Sequence, residues 1–573
     1  MKIFNIKKLA IATVLLVGMA SCDTFLNRPT KDSYTIDGFY QTDEQCFQSI
    51  NPVYNSPWYD FQRGFIKIGD ALAGNVYYGT DNAYQSFVLK SSDPDLRNAS
   101  ASLWSVNAYC NGVIDNINLK AGSGVSLATK NTVKGEALTL KATAYFFLVR
   151  CFGAIPIIHN NADIISSNSS NTLSRNNVDD VYTYIVKTLE KAIELLPEHN
   201  KAGRIDKYSA YGLLAKVYLT KSGYGLSGSR NADDLAKAAQ YAKMVIEQSG
   251  RVLTPVYSDI FRLANNFGSE SLIAWHWTVG NHWTAQNTLQ ADLALSGWCE
   301  DPNTWGTWTG LTLDLQQAFG ENAILKTAKE RITDDARRKA TMMMMGDHYD
   351  YFWGDKGGFT YDWISIKTLP DGSVTNLGYG NPTGSNFVKH IVGDNFDHLK
   401  GSGIPLGVGT QKMSTALSTH ILRLADVYLV YAEAVLGDAG STSDASALSA
   451  FNAVRGRSVK NYIAKPSITF DDIFKERRLE LACEGDNWYD FVRLSYYKPD
   501  EAKARLSTQE RGNWNNLDGF YKGTSLITDV TINSFKVPIA NISFEIPFPD
   551  TDMAINPNLM NPPVPFDFST IGY

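Results

Sequence analysis

Amphipathic helices of similar length, joined by short turns, are the feature that most constrains the fold of this chain. Between residues 43 and 244, apolar residues recur three and four positions apart, which is the spacing of one helical face. The segment 133–152 shows this spacing well, and Gly153 followed by Pro156 supplies residues that end a helix. Small residues recur in 234–247, where two helices must approach closely. The pattern predicts helix pairs stacked like degenerate tetratricopeptide repeats.

The character of the sequence changes between residues 249 and 415. Gly, Trp, Tyr, Asn and Asp become frequent and the helical periodicity becomes patchy. Long irregular segments in a compact protein are usually functional loops. We therefore predict a mainly α fold with a helical region at 22–230 and a C-terminal region at 231–573, which includes an irregular, loop-rich ligand face at 250–415.

Further helices are expected on both sides of this irregular region. Asn177 and Thr469 are suited to cap the helices that follow them, because their side-chain oxygens can accept from free backbone N–H groups. An alternating run at 271–278 predicts a strand, and at least one of Trp275 and Trp277 should be buried. The predicted helices span 100–117, 177–196, 207–219, 418–436, 444–454 and 470–484.

The first residues predict export and a lipid anchor. Three early lysines precede a short apolar stretch at 9–17, which is too short to span a bilayer and is typical of a signal peptide. Met19-Ala20-Ser21-Cys22 then resembles a bacterial lipobox, although Met19 departs from the usual Leu. We expect residues 1–21 to be removed and the Cys22 thiol to be lipidated. The alternative is an ordinary secretory signal with an incidental cysteine.

Composition and motifs argue against several classes of function. The chain has 53 Lys and Arg, 59 Asp and Glu and a net charge of −6, without a basic run interleaved with aromatics, so no nucleic-acid partner is predicted. There is no CxxC pair, Walker loop, GxSxG or HExxH, so no metal, cofactor or catalytic nucleophile is expected. The GxGxxG at 223–228 follows a predicted helix, whereas a dinucleotide site needs a preceding strand.

Three carboxylates recur four residues apart at Glu476, Glu480 and Glu484, which places them on one helical face. One hypothesis is the paired-carboxylate site of a glycosidase. The other is ion pairing with nearby arginines that locks a helix to the scaffold, and we favour it. Asp426 and Glu433 are expected to form similar pairs.

Tryptophan is concentrated in the irregular region, where eight of the 12 residues of this type fall between Trp275 and Trp363. A flat indole can cover the apolar C–H face of a pyranose while amide and carboxylate side chains bind its hydroxyls. The alternatives for each ring are core packing or contact with a protein partner. The predicted ligand-binding residues are Trp283, Trp298, Trp305, Trp308, Trp353, Tyr351, Tyr77, Tyr78, Asp301 and Asn303.

Ordered sequence blocks give the chain a family resemblance over most of its length. The strongest blocks lie in the C-terminal third, and they are Arg423-Leu424-Ala425-Asp426, Tyr431-Ala432-Glu433-Ala434, Asn452-Ala453-Val454-Arg455, Glu476-Arg477-Arg478, Trp488-Tyr489-Asp490 and Asn556-Pro557-Asn558-Leu559. Together they resemble the SusD/RagB lipoproteins of Bacteroidetes-like bacteria.

The resemblance implies a non-catalytic, lipid-anchored protein of the outer membrane that faces outward. Such proteins combine a helical repeat scaffold with a loop-rich ligand face, and they capture nutrients for a SusC-like TonB-dependent transporter. Many bind glycans and some bind peptides. We therefore expect a glycan-binding capture subunit. The alternatives are a peptide-binding subunit of the same transporter type and, less favoured, a surface glycosidase.

Overall fold

The computed structural model describes residues 36–79, 82–280, 282–295, 297–298, 304, 306, 309–321, 331, 334–361, 381–406 and 413–572. Within them the helices are α1 (Ile36–Phe39), α2 (Asp43–Ile50), α3 (Gln62–Ile66), α4 (Pro94–Lys120), α5 (Leu127–Phe152), α6 (Asn161–Ser167), α7 (Val178–Leu195), α8 (Lys207–Lys221), α9 (Ala232–Gln248), α10 (Leu289–Leu293), α11 (Leu313–Ala318), α12 (Ala336–Thr341), α13 (Asn395–Ser402), α14 (Leu424–Leu436), α15 (Ala445–Ser458), α16 (Phe470–Leu481), α17 (Asn487–Ser495), α18 (Pro499–Thr508), α19 (Leu517–Tyr521) and α20 (Asp550–Ile555).

The strands are short and form two-stranded antiparallel ladders. They are β1 (Val76–Tyr77), β2 (Ser271–Trp275), β3 (Gly310–Leu311), β4 (Met342–Met344), β5 (His348–Tyr349), β6 (Phe359–Thr360), β7 (Ser385–Phe387), β8 (Thr419–Arg423), β9 (Asn513–Asn515) and β10 (Thr531–Asn533). The pairs are β1–β3, β2–β8, β4–β7, β5–β6 and β9–β10.

A stack of long helices forms the scaffold. In sequence order, α4 packs on α5, α5 on α7, α7 on α8 and α8 on α9, and then α9 packs on α14 and α14 on α15. α5 is buried on nearly every face, as expected for a helix with neighbours on both sides. Gly135 permits its close approach to the end of α7, because a Cβ there would lie 2.6 Å from Leu196 Cγ. The predicted stack of tetratricopeptide-like helix pairs is confirmed.

The predicted helices are present, but several ends differ: α4 begins at Pro94 rather than at residue 100, and α16 ends at Leu481 rather than at residue 484. α5 ends at Gly153, whose φ of 68° suits glycine, and Thr469 caps α16 through the Asp472 N–H. Asn177 does precede α7, but its side chain makes no capping hydrogen bond. Residues 419–423 form β8 rather than the first turns of a helix, and α14 begins only at Leu424. The ladder with β2 outweighs the local periodicity there.

The tryptophans of the predicted strand at 271–278 are both in the core. β2 ends at Trp275, which pairs with Thr419 of β8 and stacks on Trp58 with ring centroids 5.0 Å apart. Trp277 is also buried, and its Nε1–H donates to Thr419 Oγ1 at 3.0 Å. This ladder therefore joins the irregular region to the hydrophobic core of the scaffold.

Buried ion pairs fix α14, α16 and α17 to the helix stack. Asp426 lies between the Lys216 ammonium and the Arg477 guanidinium, each 2.6 Å away. Glu433 pairs with Arg230 at 2.8 Å and also with Arg493. The predicted pairing of Asp426 and Glu433 within the scaffold is confirmed.

The lipid anchor predicted at Cys22 lies outside the described residues. Four other cysteines, Cys46, Cys110, Cys151 and Cys483, are buried free thiols that pack as small core side chains. Among the helices that the structure describes, none is long and apolar enough to cross a membrane.

Candidate functional site

Trp283 places an indole at the surface of the irregular region. It opens a 3-10 turn, Trp283–Ala285, which begins where the His282 side chain accepts the Thr284 N–H. The Trp283 side chain is 41% exposed. Its ring meets the edge of Tyr59 with centroids 6.4 Å apart and an interplanar angle of 60°. The contact orients the indole while part of it stays open to solvent, so it can receive a flat apolar ligand face.

Polar groups lie on the segments that hold this indole. Tyr59 belongs to a 3-10 turn, Ser56–Phe61, and burial raises the pKa of its hydroxyl, which contacts the Thr288 side chain. α3 follows directly and carries Arg63, whose Nε lies 3.1 Å from Asp292 Oδ2 of α10. Its Nη1 lies 3.4 Å from Asp95 Oδ1, and the Arg63 side chain remains half exposed. The two buried carboxylates fix the guanidinium, whose exposed N–H groups can donate to hydroxyl groups.

Gly306 and Thr309 contact α10, and Gly310 pairs with β1. A Cβ on Gly306 would lie 2.4 Å from the Asp292 carbonyl oxygen, so this glycine lies directly against α10. Thr309 Oγ1 donates to the same carbonyl at 3.1 Å. In the β1–β3 ladder, Tyr77 opposes Gly310. The described residues Gly306, Thr309 and Gly310 therefore link α10 to β1. The predicted ligand residues Asp301, Asn303, Trp305 and Trp308 lie outside the described residues.

Tyr77 and Tyr78 differ in their surroundings. Tyr77 is half-buried, and its hydroxyl accepts from Asn513 Nδ2 at 2.9 Å beside a small cavity of about 160 Å³. Tyr78 is 7% exposed, and the Lys67 ammonium lies 4.8 Å from its ring centroid. The structure does not support the prediction that Tyr78 contacts ligand, because this residue, which follows β1, is buried beside Lys67.

Trp298 and Trp353 are also core residues. Both are 0% exposed, and their ring centroids lie 4.0 Å apart in an edge contact, with Phe352 and Phe359 packed around them. The prediction that these two rings contact ligand is wrong. The irregular region has little regular structure to form its core, and large aromatic rings fill that space instead.

Tyr351 lies at a different place from Trp283. It is half-buried and lines a cavity of about 1050 Å³. The Arg262 guanidinium covers the face of its ring at 3.5 Å from the centroid.

Three residues of these surfaces, Arg262, Tyr59 and Arg63, were not predicted from the sequence. The run Trp58-Tyr59-Asp60, which follows Pro57, mixes aromatic and polar residues as ligand-binding loops do. It was overlooked because it lies within the segment predicted to be helical scaffold.

Glu476 and Glu480 of α16 and Glu484, which lies beyond the end of that helix, are not arranged for glycoside hydrolysis. Glu476, Glu480 and Glu484 are at most 5% exposed. Glu480 alone contacts Arg337 at 3.2 Å, Arg423 at 3.0 Å and also Arg457. These guanidinium groups hold the pKa of Glu480 far below its usual range even though burial opposes this. The favoured hypothesis, ion pairing within the scaffold, is the arrangement found.

Known proteins resemble the chain in both sequence and structure. A family model described as the SusD family matches residues 275–564, and a model described as starch-binding associating with outer membrane matches residues 8–219. A SusD-like protein of Bacteroides ovatus is 34% identical over 588 residues, which is 99% of this chain and 100% of that protein. The chain belongs to the SusD family.

Two solved structures support this membership. One crystal structure is 33% identical, with a TM-score of 0.79, and the alignment covers 92% of this chain and 100% of the other. A second, solved with xylogluco-oligosaccharide, is 31% identical with a TM-score of 0.76, and the alignment covers 91% and 99%. The predicted mainly α, SusD-like fold is thereby confirmed.

Proposed function

We propose that this protein captures neutral glycan fragments on a surface built around Trp283. The observation that carries the proposal is the partly exposed Trp283 indole, oriented by Tyr59, which precedes the half-exposed Arg63 by four residues. An indole covers the C–H face of a pyranose, and the Arg63 N–H groups donate to its hydroxyls. The related structure solved with xylogluco-oligosaccharide supports a neutral oligosaccharide as the ligand.

The proposal makes the protein a binding subunit and not an enzyme. The carboxylates that could have formed a glycosidase site, such as Glu480, are occupied by buried arginines. We infer that the Trp283 surface binds and retains glycan but does not cleave it.

A binding panel tests the glycan proposal. In calorimetry with the pure protein, we expect xylogluco-oligosaccharide or another neutral oligosaccharide to give a saturable binding isotherm, and mixed oligopeptides to give none. Reducing ends should not increase after prolonged incubation with the bound sugar. Saturable peptide binding without sugar binding would replace the proposal by its peptide-binding alternative. Release of new reducing ends would contradict the non-catalytic role.

We further propose that the chain is anchored at Cys22 to the outer membrane, facing outward, and delivers its glycan to a SusC-like TonB-dependent transporter. Family membership and the lipobox-like Met19-Ala20-Ser21-Cys22 support this. Several acyl chains on one cysteine give stable membrane attachment.

The anchor is tested in a Bacteroidetes host by metabolic labelling with a fatty acid. The wild-type chain should be labelled, sensitive to protease added to intact cells, and co-purified with a TonB-dependent transporter. Cys22→Ser should lose the label and leave the membrane fraction, whereas Cys46→Ser, a buried cysteine, should keep both. An unlabelled wild-type chain would contradict the anchor.

A further inference from the structure

A second concave surface, distinct from the Trp283 surface, lies on the irregular region. It is a cavity of about 1050 Å³, within the size range of ligand sites. Its walls come from the 3-10 turns Tyr257–Phe261 and Leu263–Asn265, from α12 and α13, and from residues 346–354. Neither Trp283 nor Tyr59 lines it.

The cavity is lined by the guanidinium of Arg262, which lies near carboxylates but forms no ion pair within the described residues. Arg262 stacks on the Tyr351 ring with Cζ 3.5 Å from the ring centroid. Its side chain forms no ion pair or hydrogen bond with the residues that the structure describes. Burial lowers the pKa of Arg262, and the nearby Asp259 and Asp350 only partly oppose that effect. The stack orients the guanidinium plane, and its N–H edges remain available to a ligand.

The other polar groups of the cavity carry both signs of charge. Asp259 and Asp350 supply acceptors, Lys339 and Lys400 supply donors, and Asn265 supplies both. An anionic ligand would meet the carboxylates and a cationic ligand would meet the ammonium groups. A neutral polyol has the matching chemistry, because each hydroxyl both donates and accepts.

The loop that carries Tyr351 is held in place before any ligand arrives. Asp397 Oδ2 accepts the Trp353 N–H at 2.6 Å, and Asp397 Oδ1 accepts the Gly354 N–H at 3.0 Å. Trp353, which has a φ of 52°, is enclosed in the aromatic core. A preformed wall lowers the entropy cost of binding.

We propose that this cavity is a second saccharide site, which takes a short neutral oligosaccharide or a side branch of a longer glycan through Arg262 and its neighbouring carboxylates. This inference rests on the proposed function in one respect, which is that the ligand of both surfaces is a neutral sugar. Two sites on one chain would raise the avidity for a long polymer without any new contact.

The number of bound ligands tests the inference. Native mass spectrometry and calorimetry of the full chain with a xylogluco-oligosaccharide and with cellobiose should show two ligands per wild-type protein for at least one probe. Arg262→Met, which keeps the apolar stem, should retain one ligand, and Trp283→Ala should retain the other. The double variant should retain none. Arg505→Met is the matched control, because Arg505 is a partly exposed arginine of α18 that pairs with Asp471 and Glu501 and does not line the cavity, and it should retain two.

Hydrogen–deuterium exchange locates the second ligand. In Trp283→Ala, sugar should protect peptides covering 257–265 and 346–354. One ligand on the wild-type chain, lost in Trp283→Ala and kept in Arg262→Met, would overturn the inference and leave the proposed function intact. A ligand lost only in Arg262→Met would support this cavity and contradict the assignment to Trp283. Absence of any bound sugar would overturn both.

Discussion

Glu480→Ala should lower the free energy of unfolding by about 3–5 kcal/mol. Glu480 is 0% exposed and is the shared partner of Arg337, Arg423 and Arg457. Without the Glu480 carboxylate, the three buried guanidinium groups lose a shared counter-charge. Their mutual repulsion and the cost of their burial are then less well compensated. Equilibrium urea unfolding, followed by tryptophan fluorescence and circular dichroism, measures the difference.

The matched control is Glu247→Ala, which removes an exposed carboxylate that lies 3.7 Å from Lys243 one helical turn away. It should change stability by less than about 0.5 kcal/mol, because exposed pairs contribute little. A Glu480→Ala variant as stable as Glu247→Ala would contradict the structural role of the network.

The same network predicts the acid side of the stability profile. Neighbouring cations hold the pKa values of Glu480 and Glu484 below the usual range. Because the folded pKa is the lower one, these groups stabilise the fold above the unfolded pKa of about 4.3. That stability is lost as the pH falls further. Glu480→Ala should therefore show a shallower loss of stability between about pH 4.5 and pH 3 than the wild-type chain.

Trp283→Ala should weaken oligosaccharide binding by about 30-fold, or about 2 kcal/mol, because exposed aromatic anchors dominate the energy of such contacts. The fold should remain intact, since the indole is 41% exposed and touches Tyr59 only at its edge. Calorimetry with the best ligand of the panel gives the affinity, and thermal unfolding checks the fold.

Tyr109→Ala is the matched control for Trp283→Ala. Tyr109 is an exposed aromatic of α4, fourteen residues and therefore about 21 Å along the helix from Asp95, which borders the Arg63 pair. This variant should bind as the wild-type chain does. Equal affinities in both variants would show that the indole does not contact the ligand.

Local sequence patterns predicted the helices well because their signals lie within a few residues. The spacing at 133–152 together with Gly153 was sufficient to place α5 and its end. Residues 419–423 were predicted as helix because their partner strand, β2, lies far earlier in the chain and local periodicity contains no trace of it. Long-range pairing decided their conformation.

The sequence predicted the region of the candidate site but not which of its aromatic residues are exposed. Tryptophan enrichment indicated the correct part of the chain, and Trp283 does lie at its surface. Trp298 and Trp353 belong to the same enriched set, yet they are buried against each other. Because they lie far apart in the sequence, local patterns could not show this contact. Arg262 and Arg63 were missed because nothing in their local sequence shows that folding brings them to Tyr351 and Asp292.

A crystal structure of the full chain with xylogluco-oligosaccharide would show directly where the sugar binds. We expect a pyranose ring against the Trp283 indole, with sugar hydroxyls within hydrogen-bond distance of Arg63. An oligosaccharide bound elsewhere, with the Trp283 indole left in solvent, would contradict the proposed site.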